Sequence, residues 1–368
     1  MGAGQLARMM GEAADQQGVH LTVLADSPDE SAVATSHAVV LGAATSRDAL
    51  AALADVVDVV TFDHELVDLD QVLELEARGV LVRPNAHALR FAVDKGYQRV
   101  TFAEAGLPVP AFLVVNSATD DRLEYFLDQL NSPPVLKIAR GGYDGRGVLF
   151  PSDRRDTIAM LESLTGDVVV EERCLLRSEV AQLVVRALDG SVALYPLVTT
   201  VQSEGMCVEV RYPAEVGEAL QHDADALGRR LAALIDVVGT LAVEFFVTER
   251  GLVINEVALR PHNSGHWTIE GAQTSQFANH LRAVSGQPLG PTTPAAAHVV
   301  MVNVVGAELP SDPVAARAIT GAYVHDYGKS WRPGRKVGHV TALGGDADAA
   351  HVTAWTGARA FGTRTREA

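Results

Sequence analysis

Leu241-Ala242-Val243-Glu244-Phe245-Phe246-Val247-Thr248-Glu249-Arg250-Gly251-Leu252-Val253-Ile254-Asn255-Glu256-Val257 reads as two apolar strands around a polar turn. Taking the turn as Glu249-Arg250-Gly251 sets Thr248 against Leu252 and Glu244 directly opposite Glu256. Cβ atoms of such cross-strand partners stand about 5 Å apart, and like charges there repel. A divalent cation relieves that repulsion, and Mg2+ commonly takes one or two carboxylates together with substrate phosphates. The neighbours Ala242, Val243, Phe245, Phe246, Val253, Ile254 and Val257 are apolar, which argues against an ordinary solvated charged face. A hairpin holding a metal between Glu244 and Glu256 is the feature around which the rest arranges itself.

Downstream of that hairpin lies Arg260-Pro261-His262-Asn263-Ser264-Gly265-His266-Trp267, a polar loop at a strand end of the kind that positions substrates. Upstream lies Gly141-Gly142-Tyr143-Asp144-Gly145-Arg146-Gly147, between the apolar runs Val135–Ala139 and Val148–Phe150. Four glycines in seven positions let backbone N–H groups close on an anion, or let the loop act as a lid. A long hairpin turn with charged decoration reads equally well. Lys137, inside an apolar strand, calls for an anionic partner unless it lies on an edge. Val180–Ala187 and Ser191–Val198 flank Asp189-Gly190, a strong hairpin signal. Near the C-terminus Lys329, Arg332, Arg335 and Lys336 form a basic knot suited to a substrate phosphate, though an exposed charged turn is the commoner meaning.

The first hundred residues alternate strands with helices, which implies a covered parallel sheet. Gln5–Gln17, Asp48–Ala54 and Asp68–Arg78 have helical patterns, and Leu21–Leu24 and Val56–Phe62 read as strands. Gly2-Ala3-Gly4-Gln5-Leu6-Ala7, with Asp26 beyond it, fits a dinucleotide fingerprint but lacks the strand that should precede it. Gly106-Leu107-Pro108-Val109-Pro110 marks a boundary, a β-rich segment begins near Ala295, and Asp346–Arg359 is a final helical stretch. We expect domains at 1–106, 107–294 and 295–368.

The chain has 368 residues, 48% hydrophobic and 21% charged, enough for two or three cored domains. Its 30 Lys and Arg against 46 Asp and Glu give a net charge of −16, which opposes nucleic acid and anionic membrane as partners. No signal peptide or membrane-length apolar run is evident, so a soluble cytoplasmic protein is expected. Cys174 and Cys207 are too few for a disulfide framework and lack metal-site spacing.

Gly4-Gln5-Leu6-Ala7-Arg8-Met9, Gly141 to Gly147, Ile254-Asn255-Glu256, Arg260 to Thr268, Ser275-Gln276-Phe277 and Arg332-Pro333-Gly334-Arg335-Lys336-Val337-Gly338-His339 occur in that order along nearly the whole chain. Together they resemble the ATP-grasp carboxylases, and among them the N5-carboxyaminoimidazole ribonucleotide synthetase family of purine biosynthesis. The resemblance implies a mixed α/β and α+β ATP-grasp fold. It would have an N-terminal preATP-grasp (Rossmann-like) domain and a small β-rich, barrel-like C-terminal domain. It implies a homodimeric ligase that uses ATP, Mg2+ and bicarbonate to carboxylate 5-aminoimidazole ribonucleotide through carboxyphosphate.

By the same resemblance, Lys95 and Lys137 would hold ATP phosphates beneath a loop of Gly142, Tyr143, Asp144, Gly145, Arg146 and Gly147. Glu171, Glu172, Arg173, Cys174 and Glu179 would hold adenine and ribose, with Asn255 beside the metal acids. Lys137, Asp144 and Arg146 would take part in catalysis. Gly4, Gln5, Leu6, Glu65, Tyr143, Asp144, Arg146, His262, Asn263, Lys329, Arg332 and Arg335 would surround the acceptor, which replaces the dinucleotide reading of the first turn. The family's first strand, expected before Gly2, is missing. Lys95 stands where arginine is expected, Asp63-His64-Glu65-Leu66 replaces Glu-Phe-Glu-Asn, and Leu259 replaces a proline. A ligase with another acceptor, or an ATP-binding protein without turnover, are the rival readings.

Overall fold

Short apolar runs separated by amphipathic helices fold at the start of the chain into two parallel strand pairs. The computed structural model describes residues 1–142, 147–308 and 311–364 of the 368. It pairs β1 (Thr22–Ala25) with β2 (Ala38–Leu41), and β3 (Val59–Val60) with β4 (Leu81–Val82). Met1 to Ala3 run between the pairs. The Met1 amine donates to the Thr61 carbonyl at 2.5 Å, the Asp63 amide donates to the Met1 carbonyl at 3.1 Å, and Gly2 bridges Leu24. The strand expected over Val56–Phe62 is correspondingly short, because β4 offers it a partner only at Leu81 and Val82. Leu24, Val60, Phe62, Leu75, Val82 and Leu89 fill one face. On the other face, Leu6, Met9 and Met10 of the helix Gln5–Ala14 pack on Phe277, Leu281 and Tyr327, from far along the chain.

After the helix Lys95–Glu104, Gly106 at φ +66° stops the helix as its position in the sequence suggests. Beyond it stands a sheet of order β5-β8-β6-β7, formed by β5 (Phe112–Val115), β6 (Val135–Ile138), β7 (Val148–Leu149) and β8 (Val168–Glu171). The larger sheet contains β9 (Ser178–Arg186), β10 (Val192–Leu194), β11 (Val198–Ser203), β12 (Met206–Tyr212), β13 (Gly239–Thr248), β14 (Gly251–Ala258), β15 (His298–Val305), β16 (Ala322–Asp326) and β17 (Lys336–Gly344). Its order is β14-β13-β9-β11-β12-β15-β17-β16, with β10 alongside β9. The helix Glu218–Ile235 buries Leu227, Leu231 and Ile235 against Val184, Val243 and Ile254.

Two local departures from the sequence reading have clear causes. The strand expected over Ser191–Val198 ends at Leu194, because Pro196 has no N–H to give to the ladder; pairing along β9 resumes at Val198. In the β13–β14 hairpin the turn is the two residues Glu249-Arg250, with Thr248 opposite Gly251 rather than Leu252. A bulge between Glu244 and Phe245, opposite Asn255, then shifts the register by one, and Glu244 faces Glu256 after all.

The C-terminal strands continue the larger sheet, since β15 pairs with β12 from Glu209↔Val302 to Tyr212↔Val299. Among the described residues the strand path is open at β14 and β16, so the expected barrel-like domain is an extension of the neighbouring sheet. The helix Ala347–Phe361 lays Trp355 and Phe361 over β15 and β17. Among the described residues, no helix is long and apolar enough to cross a membrane.

Three histidines are built into this interior in neutral form. His280 accepts the Thr240 N–H on Nδ1 at 3.1 Å and meets Thr61 Oγ1 through Nε2 at 2.9 Å, and burial pushes its pKa down to about 3. Burial likewise holds His266 and His339 well below the ordinary value of 6.5. An unfolded chain takes up these protons near pH 6.5 while the folded chain refuses them. Their contribution is therefore complete above that pH and shrinks as the pH falls. Each histidine should cost about 1.4 kcal/mol per pH unit below its unfolded pKa. Urea denaturation at pH 7.5 and 5.5 checks this. A midpoint that does not move would contradict it.

Candidate functional site

Asp94 caps the helix Lys95–Glu104 by accepting the Tyr97 N–H at 2.9 Å, and so fixes where the helix begins. Lys95 and Arg99 then lie one turn apart on the same face, the spacing at which helical side chains are neighbours. Both reach the bulged part of β14. Lys95 Nζ donates to Glu256 Oε1 at 2.5 Å, and Arg99 donates through one terminal nitrogen to the Asn255 carbonyl at 2.5 Å. The bulge also turns the Asn255 side chain toward β6, where its Oδ1 accepts from Lys137 Nζ at 3.1 Å. Lys137 is nearly enclosed in β6 and finds its anionic partner in Glu171 Oε2 at 2.8 Å. Arg99 Nε donates to Glu171 Oε1 at 2.5 Å. The sequence reading missed Arg99; its one signal was its position four residues after Lys95.

Glu171 therefore spends its carboxylate inside the protein. Burial alone would raise its pKa, but Arg99 and Lys137 overcome that and hold it below the usual range. Burial lowers the Lys137 pKa, and Glu171 works against the fall. The two opposed acids are pulled apart. Burial, then Glu256 and Glu179, push Glu244 up to about 7. For Glu256, burial is more than offset by Lys95, Lys137 and His262, which draw it down to about 2. His262 Nε2 lies 3.7 Å from Glu244 Oε1.

A cavity of about 1820 Å³ collects these groups. Lys95, Lys137, Gly142, Glu171, Glu172, Arg173, Cys174, Glu179, Asn255 and Glu256 line one part, with Glu244 among them. Gly4, Gln5, Leu6, Glu65, His262, Asn263, Lys329, Arg332 and Arg335 line another. Gly147 does not line it. Tyr143, Asp144, Gly145 and Arg146 lie outside the described residues. Arg173 sits over the Phe150 ring at 5.4 Å, at the end where a planar base was expected.

At the other end, Lys329 Nζ donates to Gln5 Oε1 at 2.6 Å, which joins the basic knot to the first helix. The Gly4 N–H is given to Asp63 Oδ2 at 2.6 Å, so a protein carboxylate already stands at that helix start. Gly2 has no substitute there: its φ is +92°, and a Cβ would fall 1.8 Å from Asp63 Oδ1. Glu65 clamps the polar loop by accepting the Leu259 N–H at 2.6 Å, with Arg260 Nε 3.5 Å away. Gln276 holds His262 from both sides, and Asn263 exchanges side-chain hydrogen bonds with Asn303 of β15. Arg335 donates to Ser330 Oγ at 2.6 Å.

The donor set fits a hard divalent cation. Glu244 and Glu256 offer carboxylate oxygens face to face, and Lys95 occupies only Oε1 of Glu256. Among the described residues no three His, Cys, Asp or Glu side chains form a metal cage. Two carboxylates with phosphate oxygens suit Mg2+, whereas a closed structural zinc site needs four protein ligands.

Three family models match consecutive parts of the chain: a ribonucleotide synthetase preATP-grasp domain over residues 1–93, an ATP-grasp domain over 100–277, and a phosphoribosylaminoimidazole carboxylase C-terminal domain over 299–353. The chain is 44% identical over 358 residues to the N5-carboxyaminoimidazole ribonucleotide synthase of Mycobacterium tuberculosis, covering 94% of this chain and 83% of that protein. The synthetase structure from Thermus thermophilus superposes with a TM-score of 0.90 at 35% identity, covering 100% of this chain and 99% of that one. The Aspergillus clavatus synthase, in complex with ADP and 5-aminoimidazole ribonucleotide, gives 0.88 at 31% identity, with 98% and 97% covered.

Proposed function

The chain belongs to the N5-carboxyaminoimidazole ribonucleotide synthase family, and from that premise we propose how its own residues divide the reaction. It is an ATP-dependent ligase of purine biosynthesis that carboxylates 5-aminoimidazole ribonucleotide. The observation that carries the residue assignment is the Glu244–Glu256 pair set against Lys95 and Lys137 in one cavity.

Lys95 and Lys137 hold the phosphates of ATP, and the segment Glu172 to Cys174 with Glu179 holds adenine and ribose. Glu244 and Glu256, with Asn255 alongside, hold Mg2+, which when bound neutralises charge on the nucleotide's phosphates. A bicarbonate oxygen attacks the γ-phosphorus, the bond to ADP breaks, and carboxyphosphate forms. The exocyclic amine of the ribonucleotide then attacks the carboxyl carbon, phosphate leaves with the bicarbonate oxygen, and the amine gives up a proton. Positioned cations around the transferring phosphoryl group supply most of the catalysis that such a step requires. Gln5, Leu6, His262, Asn263, Lys329, Arg332 and Arg335 orient the acceptor. Tyr143, Asp144 and Arg146 are assigned to acceptor and carboxyphosphate by the motif they belong to. We further assign the domains to 1–106, 107–294 and 295–368, and a cytoplasmic homodimer, which light scattering on the purified protein tests for assembly.

Initial rates of ADP release test the assignment of activity. They should require ATP, bicarbonate and 5-aminoimidazole ribonucleotide together. Release that is indifferent to the ribonucleotide, or that needs a different amine, would contradict it. Lys329→Met should raise KM for the ribonucleotide at least about tenfold, as expected for loss of a charged hydrogen bond. A KM within twofold of the parent would remove Lys329 from the acceptor site.

A further inference from the structure

Arg99 binds both of the residues that Lys137 touches. It is 2% exposed, and all three of its nitrogens are engaged: Nε with Glu171 Oε1, one terminal nitrogen with Gln98 Oε1 at 2.9 Å, and the other with the Asn255 carbonyl. Lys137 meets the other oxygen of Glu171 and the side chain of Asn255. An ammonium has three N–H donors. Those two contacts leave one for a ligand.

We infer that Arg99 is a positioning residue for the nucleotide's phosphates, holding Glu171 and the Asn255 bulge so that Lys137 keeps one donor for the ligand. The inference rests on the assignment of Lys137 to ATP phosphate. Its basis is the sharing of one buried carboxylate: Arg99 takes Glu171 Oε1 and Lys137 takes Oε2. Without Arg99 the buried Glu171 carboxylate has Lys137 as its one cationic partner, and the pair closes on itself. The guanidinium fork lets a single side chain serve a carboxylate and a backbone carbonyl at once, which an ammonium on a shorter reach does not. The bond to Asn255 also pins the bulge, whose next residue is Glu256. A buried ion pair kept only for stability would affect melting and leave nucleotide affinity alone.

Titration calorimetry with ADP on the folded full chain separates these roles. Arg99→Met should weaken ADP binding at least about tenfold, as expected for the loss of a charged hydrogen bond. Arg99→Met with Glu171→Gln should return the affinity to within about threefold of the parent, because the anion that traps Lys137 is gone. An unchanged affinity in the single variant, or a double variant no better than the single, would overturn the inference. Should Arg99→Met not fold, Arg99→Lys decides: KM for ATP should rise severalfold with kcat within about twofold. A lowered melting temperature with KM unchanged would overturn it. Lys137→Met keeps the two claims apart. If that variant binds ADP as well as the parent, the phosphate assignment itself fails. If it binds poorly while the Arg99 variants bind normally, only the role of Arg99 fails.

Discussion

Glu256→Gln should lower kcat by roughly 10³-fold while leaving the fold intact. The amide keeps the volume and removes the charge that Lys95 now pairs with and that a cation between Glu244 and Glu256 requires. About half of the Glu256 side-chain surface is open to the cavity, so the substitution disturbs little packing. The carboxylate is held down to about 2 by Lys95, Lys137 and His262 against the effect of burial, which keeps it ionised at every working pH. Steady-state ADP release with saturating substrates measures the effect, and the melting temperature controls for folding. A kcat within tenfold of the parent would remove Glu256 from the centre of the chemistry.

Glu209→Ala should do the opposite, costing stability and sparing substrate affinity. Glu209 is fully buried in β12, and its carboxylate accepts from Arg211 Nε at 2.6 Å, His351 Nδ1 at 2.8 Å and Trp355 Nε1 at 3.0 Å. It thereby ties the final helix to the middle of the larger sheet. Removing one member of such a buried cluster strands the others, at a cost of about 3–5 kcal/mol. For a chain of this size that is a fall in melting temperature of about 5 °C. Glu209 does not line the cavity, so the KM values should stay near those of the parent. A melting temperature lowered by less than about 2 °C would show that the cluster is decorative.

Local patterns made much of this molecule legible. Two apolar runs around a polar turn located β13 and β14, Asp189-Gly190 located the β9–β10 hairpin, and glycine and proline located the break after Glu104. The pairing of Glu244 with Glu256 was read correctly through a turn that is not the one present. The observed two-residue turn offsets the register by one, and the bulge opposite Asn255 restores it. Residue patterning does not reveal the bulge, because the extra residue, Asn255, simply continues the chain between Ile254 and Glu256.

Long-range partners were the part that stayed hidden. Arg99 reads as an ordinary helical cation until Glu171, far along the chain, is brought to it by the antiparallel pairing of β8 with β6. With Lys137, the same contact engages both oxygens of the Glu171 carboxylate, which the sequence reading gave to adenine and ribose. Sheet continuity is equally invisible: nothing in the 298–305 segment signals that it pairs with 209–212 and so extends the larger sheet. The family likeness supplied the order of the parts and the acceptor's identity, which residue spacing alone leaves open between several ATP-grasp chemistries.

Carboxylation through carboxyphosphate passes one oxygen atom from bicarbonate to phosphate. Mass spectrometry of the phosphate released in a short incubation with 18O-labelled bicarbonate, ATP and 5-aminoimidazole ribonucleotide follows that atom. The expected result is phosphate carrying one labelled oxygen; phosphate without label, its new oxygen taken from water, would contradict the account.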